Sequence, residues 1–296
     1  MPTDTARHPP HPAHPPGTPL LGDLLREGRR RLAATDFAAP REAGLLLGAV
    51  VGLSETQVLA RDDQPAPAAA AAAFERLLAR RERGEPVAYL LGVREFYGRP
   101  FAVDARVLVP RPETEHLVEA ALALPLPARP RILDVGTGSG CIAVTLALEL
   151  PAARVVATDL SPAALAVAAA NARRLGAARR VAAVAADLAA PLDLARFDLV
   201  VSNPPYIDPA AAATLSPEVC NFEPHLALFS PGSGESTLAR LFDAGAAMRP
   251  GTHLVVEIGS GQLAPARRLA AASALLLAAV HRDYAGIPRV LVLRRR

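Results

Sequence analysis

Hydrophobic positions recur along this chain in two different periods, and the change from one to the other divides it. From Leu20 to about Leu91 the apolar positions repeat at helical spacing: Leu21, Leu24 and Leu25, then Leu45 to Leu47 beside Val50 and Val51. Residues three and four apart share one helix face, so these runs predict amphipathic helices. Ala68 to Arg83 is an Ala-rich run that ends in charge, with Gly84 and Pro86 behind it as a stop. Roughly four or five helices then fill residues 20–92 as a small helical domain, with a loop at Asp62 to Pro67.

From Val93 to Val109 the period shifts to alternation, through Phe96, Phe101, Val103, Val107 and Val109, with Gly98-Arg99-Pro100 as a turn. That predicts a β-hairpin over residues 93–110 joining two domains. A helix through Ala123 follows Pro110 to Glu115. After Pro130, short apolar runs alternate with helical ones. Strands are expected at Arg131–Val135, Arg154–Thr158, Val181–Ala185, Phe197–Ser202, His253–Ile258, Leu276–Val280 and Val290–Leu293. Helices are expected at Cys141–Leu150, Pro162–Leu175, Leu238–Met248 and Gln262–Ala272, with Ser161 as N-cap and Pro162 in the first helical position. Such alternation over residues 111–296 means an α/β domain, a doubly wound, mostly parallel, seven-stranded sheet with helices on both faces.

Composition adds exclusions. Residues 1–19 are rich in Pro, His and Thr and lack apolar surface to bury, which predicts a disordered tail. His8, His11 and His14 stand three apart in it, but no carboxylate or cysteine joins them, so no metal is expected. The 32 basic and 29 acidic residues leave a net charge of +3, short of the dense basic stripe of a nucleic-acid binder, and none is expected as a partner. Cys141 and Cys220 form neither a disulfide framework nor a CxxC pair, which fits a reducing cytoplasm. No apolar run reaches the roughly 18 residues of a membrane helix, and the N-terminus does not read as a signal peptide. A monomer without membrane attachment is expected.

The chemistry gathers where predicted strands end. Asp134-Val135-Gly136-Thr137-Gly138-Ser139-Gly140 follows the strand at Arg131–Val135 and precedes a helix. Its glycines allow a sharp turn and close approach of a ligand to backbone N–H groups. A dinucleotide site would show GxGxxG; the GxGxG spacing here resembles class I methyltransferases, whose ligand is S-adenosylmethionine. Asp159 ends the next strand, where a carboxylate can accept both ribose hydroxyls. Asp187 ends the third, where it can accept the adenine amine with Leu188 packed on the ring. Asn203-Pro204-Pro205-Tyr206 follows the fourth. Two prolines stiffen this loop, and the Asn203 side-chain oxygen and the Pro204 carbonyl are both acceptors. Held rigidly, they can take both hydrogens of an NH2 group, with Tyr206 packed on the planar group. Preorganised acceptors favour a more pyramidal nitrogen in the transition state, and alignment about 3 Å from an electrophilic methyl supplies the entropic part.

These residues carry a family resemblance. The chain resembles the peptide chain release factor glutamine methyltransferases from about Glu42 to Arg289. The shared stretches are Tyr89-Leu90-Leu91-Gly92, Glu95-Phe96-Tyr97-Gly98, Val109 to Glu115, Asp134 to Gly140, Asn203 to Ile207, Phe222-Glu223-Pro224 and Gly286 to Arg289. The resemblance implies a class I methyltransferase sheet and, as substrate, the glutamine of the Gly-Gly-Gln loop of release factors. It implies that Gly136 to Gly140, Asp159 and Asn203 hold S-adenosylmethionine, that Asn203 to Tyr206 hold the glutamine, and that Arg111 and Glu113 shape the cofactor-side wall. Leu188 departs from the aromatic of some members and would stack less strongly on adenine. Asn-Pro-Pro-Tyr also serves adenine N-methylation of nucleic acid on a flipped base. That alternative needs a basic, aromatic recognition domain, and aromatics are only 4% of this chain. A non-catalytic module that keeps the pocket is a third reading, against which the intact Asn203 and Tyr206 stand.

Overall fold

The computed structural model describes residues 18–35, 37–190 and 192–296. The tail expected at residues 1–19 lies almost wholly outside them. The chain divides after Leu91 into two compact units.

The first unit contains α1 (Leu21–Ala33), α2 (Glu42–Val51), α3 (Glu55–Leu59), α4 (Ala68–Arg81) and α5 (Val87–Leu91). Leu21, Leu25 and Leu32 of α1 are buried in one cluster with Leu46, Leu47, Phe74 and Leu78, as helical spacing requires of one apolar face. Gly28 allows the close packing there, since a Cβ would lie 2.8 Å from the Phe74 ring. Buried Arg81 is paired: its Nε donates to Glu42 at 2.7 Å, and its guanidinium lies 5.0 Å from the centre of the Phe37 ring. Burying this charge without a partner would cost several kcal/mol.

The second unit begins with an antiparallel hairpin of β1 (Val93–Phe96) and β2 (Arg99–Ala102). Two details differ from expectation. The turn is Tyr97-Gly98, with φ of 52° and 68°, the left-handed pair that suits a two-residue hairpin. The second strand ends at Ala102; Val107 and Val109 are buried outside any strand. Alternation reports which side chains are buried, not whether the backbone pairs. The N–H of Val109 donates to the Glu223 carboxylate at 3.3 Å, where a ladder partner was expected.

After α6 (Glu115–Leu122) come β3 (Arg131–Val135), α7 (Cys141–Glu149), β4 (Arg154–Asp159), α8 (Pro162–Arg174), β5 (Val181–Ala185) and β6 (Leu199–Ser202). Then follow α9 (Pro217–Phe222), α10 (His225–Leu228), α11 (Ser236–Ala244), β7 (His253–Glu257), α12 (Leu263–Ala272), β8 (Leu275–Arg282) and β9 (Pro288–Arg295). The seven-stranded sheet has the order β5-β4-β3-β6-β7-β9-β8. Strands β3 to β7 run parallel, and β9 is antiparallel to both of its neighbours. Successive side chains point to opposite faces. Ile132, Leu199, Val201 and Val255 join α6 and α7 in one core layer, while Leu133, Val200, Leu254 and Val256 join α11 and α12 in the other. This two-sided burial is why the central strands are apolar throughout. Ser161 caps α8, accepting from the Ala164 N–H at 3.2 Å. The strand expected from Phe197 starts at Leu199, and the helix expected to reach Met248 stops at Ala244 in a short 3-10 turn. Helices α9 and α10 were not anticipated; neither is long enough to display a period.

Strands β4 and β5 lie to one side of β3, and β6 to the other. A doubly wound sheet opens a crevice at the carboxyl ends of its strands where the order reverses. Here that point lies between Val135 and Ser202, whose hydroxyl donates to the Val135 carbonyl at 2.8 Å.

Candidate active site

The loop after β3 turns through Gly136, Gly138 and Gly140, with φ of 74°, 53° and 80°. Side chains rarely adopt these values, so glycine is required by the backbone itself. Its path is held from below. The N–H groups of Gly136 and Thr137 donate to the Thr158 carbonyl at 2.9 and 2.8 Å. Thr137 also donates its hydroxyl to fully buried Asp134 at 2.6 Å. Burial pushes the Asp134 carboxyl up to about 7, partly offset by the Thr137 and Ala143 hydrogen bonds. Gly140 immediately precedes α7 and is packed on α8, where a Cβ would meet Ala168 at 3.0 Å.

A cleft of about 440 Å³ lies over this loop, within the range of small-molecule sites. Gly136 and Gly138, Asp159, Asp187, Leu188, Asn203 and Pro205 line it. Thr137, Ser139 and Gly140 do not: they build the loop beneath, with the Ser139 carbonyl accepting from Asn171 at 2.8 Å. Pro204, between Asn203 and Pro205 of that lining, is buried. Asp159 accepts from the Gly138 N–H and the Ser161 N–H, both at 2.9 Å, so one carboxylate joins the glycine loop to the start of α8. Asp187 is paired with Arg240 at 2.7 Å, a cation at that end of the cleft which no motif pointed to. Leu188 holds a φ of 54° and offers its carbonyl to Thr158 at 2.9 Å. Leu226, Ala227 and Phe229 close the cleft from the α10 side.

Two loops that border the cleft are tied together by Glu223. It is 4% exposed and accepts from Arg111 at 2.7 Å as well as from Val109. Burial raises its pKa and the Arg111 guanidinium opposes that rise. The segment after β6 is clamped as well. Ile207 donates to the Leu228 carbonyl at 3.0 Å and accepts from Ser230 at 2.9 Å. Gln262 donates to the Tyr206 carbonyl at 3.0 Å. A Cβ on Gly234 would stand 2.3 Å from that carbonyl oxygen, and one on Gly259 would stand 2.9 Å from the Tyr206 ring.

Behind Asn203 is a buried polar chain. Asn203 Nδ2 donates to Thr114 Oγ1 at 3.1 Å, Thr114 donates to Glu257 Oε2 at 2.7 Å, and the Tyr206 hydroxyl lies 3.4 Å from Glu257 Oε1. Burial is the main reason that the Glu257 carboxyl rises to about 7; Thr114, Arg289 and Tyr206 act against it and Glu113 with it. Burial and the neighbouring Glu257 raise the Tyr206 phenol, so it stays neutral.

The residues around the cleft suit a nucleoside carrying an amino acid. Gly136 and Gly138 bring bare backbone to the cleft, and the carboxylates of Asp159 and Asp187 line it together with the apolar side chains of Leu160, Leu188 and Phe229. Residues 23–92 match the PrmC N-terminal domain family, and residues 114–218 the methyltransferase small domain family. The chain is 45% identical over 274 residues to the release factor glutamine methyltransferase of Cereibacter sphaeroides, covering 92% of this chain and 97% of that one. It is 48% identical over 277 residues to that of Bordetella pertussis, again covering 92% and 97%.

The chain belongs to the release factor glutamine methyltransferase family.

Solved structures add the fold. A methyltransferase from Pyrococcus furiosus aligns with a TM-score of 0.50 at 15% identity, covering 67% of this chain and 90% of that one. The hMettl16 catalytic domain in complex with the MAT2A 3'UTR hairpin 6 aligns with a TM-score of 0.56 at 17% identity, covering 72% and 83%. The sheet is that of class I methyltransferases. Within this member of the release factor glutamine methyltransferase family, Thr114, Glu257 and Gln262 were missed as site residues. Glu257 carried a legible signal, a carboxylate closing an apolar strand before a glycine, as Asp134 and Asp159 sit near theirs. Thr114 and Gln262 carried none, because the contacts that tie them to the site, Thr114 to Glu257 and Gln262 to Tyr206, span more than 50 residues.

Proposed function

We propose that this protein methylates the side-chain amide nitrogen of the glutamine in the Gly-Gly-Gln loop of peptide chain release factors, with S-adenosylmethionine as methyl donor. The observation that carries the reading is the rigid Asn203 to Tyr206 turn, clamped at the rim of a cleft walled by Gly136 and Gly138, in a chain of this family. Bound S-adenosylmethionine supplies an electrophilic methyl group on a sulfonium sulfur. Gly136 and Gly138, Asp159 and Asn203 hold it, on the loop that Thr137, Ser139 and Gly140 build, with Asp187 and Leu188 at the adenine end. Arg111 acts indirectly, by bracing the wall through Glu223.

Asn203 and Pro204 accept the two N–H hydrogens of the substrate carboxamide. An amide nitrogen is a poor nucleophile because its lone pair is delocalised into the carbonyl. Acceptors fixed in advance localise that pair without reorganising during the reaction. Tyr206, neutral and held by Gln262, packs on the planar group. No base has to act before attack, since the proton becomes acidic only once the nitrogen has been alkylated.

Purified release factor, incubated with the protein and S-adenosylmethionine, gains 14 Da at that glutamine by mass spectrometry, about the mass of one added CH2. Transfer to duplex DNA under the same conditions, with the release factor unchanged, would sink the reading. We assign docking of the release factor body to the helical unit. Deleting residues 1–83 raises KM for the intact substrate far more than for a short Gly-Gly-Gln peptide; equal losses on both would refute docking. The reading places the protein in the cytoplasm, as a monomer without nucleic acid. Among the described residues no helix is long and apolar enough to cross a membrane.

A further inference from the structure

The Asn203 carboxamide is not free to choose which end it shows. Its Nδ2 lies 3.1 Å from Thr114 Oγ1, and that hydroxyl lies 2.7 Å from Glu257 Oε2. Thr114 is 2% exposed and Glu257 1%, so bulk water does not compete for these bonds. A hydroxyl has one proton to give, and a carboxylate has none. Ionised Glu257 therefore takes the Thr114 proton and leaves only lone pairs facing Asn203. Of the two ends of the carboxamide only the NH2 can donate to a lone pair, so the NH2 turns inward and Oδ1 is left for the cleft that Asn203 lines. Tyr206 brings a second hydroxyl to the same carboxylate.

We propose that Thr114 and Glu257 are positioning residues that hold the Asn203 carboxamide with its oxygen toward the substrate. The inference rests on the reading of Asn203 as acceptor for the glutamine NH2. Reversed, the carboxamide would set NH2 against NH2 and would favour an acid over an amide. The relay thus contributes to selecting a carboxamide.

The relay also has a sense that depends on charge. A protonated Glu257 can donate to Thr114, which then turns its own proton to Asn203 and draws Oδ1 inward. The charged and titratable groups around Glu257 are Glu113 from the turn before α6, Tyr206 after β6, Arg289 of β9 and Cys141 at the start of α7. Burial pushes Cys141 up to about 12 and raises Tyr206, and Arg289 is raised by its partners, so these three keep their charge state near neutrality. The raised Glu257 carboxyl is the member of the relay that changes there.

The test compares full-length wild type with Thr114→Val, Thr114→Ser and Glu257→Gln, measuring methylation of intact release factor from pH 6 to pH 9. Cofactor affinity by calorimetry and melting curves accompany it. Thr114→Val loses about 10- to 100-fold in kcat, with cofactor Kd within about twofold and KM within about threefold. Thr114→Ser restores kcat to within about threefold, because it keeps the hydroxyl. Wild-type kcat falls about tenfold from pH 8 to pH 6 as one carboxylate gains its proton, and this acid limb is absent from Thr114→Val and Glu257→Gln. Wild-type kcat in Thr114→Val, or equal loss in Thr114→Val and Thr114→Ser, overturns the proposal, and so does an acid limb that survives in Glu257→Gln. If Thr114→Val does not fold, the Glu257→Gln profile decides alone. A wild type that leaves the glutamine unmodified overturns the substrate reading instead, a result distinct from wild-type transfer matched by Thr114→Val.

Discussion

Asn203 illustrates how far a single residue's role depends on others. Its carboxamide is the same group in any Asn-Pro-Pro-Tyr loop, but here one end is engaged by Thr114 and the other is left to the cleft. Replacing Asn203 with Ala removes one preorganised acceptor and leaves the glycine loop and Asp159 in place. Methyl transfer then falls by about 10²- to 10³-fold or more, while calorimetry finds cofactor affinity largely kept. Near wild-type turnover in Asn203→Ala would mean that the amide is held elsewhere. The residue types at the cleft were legible in the sequence, since the chemistry needs acceptors and small backbones at strand ends. Their partners were not, because the Thr114–Glu257 bond spans 143 positions and leaves no local pattern.

Among the elements, the loops decide more than the strands. The segment before α6 and the one joining α9 to α10 are tied together by Glu223, which receives both Arg111 and the Val109 N–H. Glu223→Ala leaves that N–H without its partner and releases Arg111 into water. The expected cost is about 1–3 kcal/mol in stability, read as a lower Tm, together with an approximately tenfold weaker cofactor Kd, a change of about 1.4 kcal/mol. An unchanged Kd beside a lowered Tm would show that the tie is structural and does not shape the cleft. The strand–helix alternation was legible because each central strand is buried on both faces and each long helix on one. The hairpin was misjudged in length because Val107 and Val109 mimic strand alternation from a loop that Glu223 holds.

For the whole molecule, buried carboxyls whose pKa burial raises set a pH dependence of stability, Asp134 and Glu257 foremost and Glu223 in the same sense. Asp134 and Glu257 both rise to about 7, with burial the first cause in each. Between the ordinary carboxylate range and about 7 the folded chain binds protons that the unfolded chain has lost. Stability is therefore full below that range and falls as pH rises through 7. At about 1.4 kcal/mol per pKa unit, Asp134 and Glu257 each contribute up to about 4 kcal/mol. His253, whose pKa burial lowers, acts in the opposite sense in the same window. The lowered carboxyls of Asp104 and Asp283 are ionised in both states there and do not enter. The ligand-free protein melts higher at pH 5.5 than at pH 8, and Glu257→Gln flattens that slope by calorimetry. A Tm that rises with pH across this interval would contradict the assignment.

Periodicity, glycine spacing and the proline-stiffened loop determined the sheet, its helices and the kind of site, and the stretches Glu95 to Gly98 and Val109 to Glu115 carried the family resemblance, because each is a local pattern that repeats or recurs at fixed offsets. The tertiary structure alone decided which way the Asn203 carboxamide faces, which of the glycine-loop residues reach the cleft, and how Arg111 and Glu223 brace its rim. Those outcomes depend on groups brought together by the doubly wound sheet from opposite ends of the domain. Burial then gives them hydrogen-bond directions and proton affinities that no stretch of sequence carries by itself.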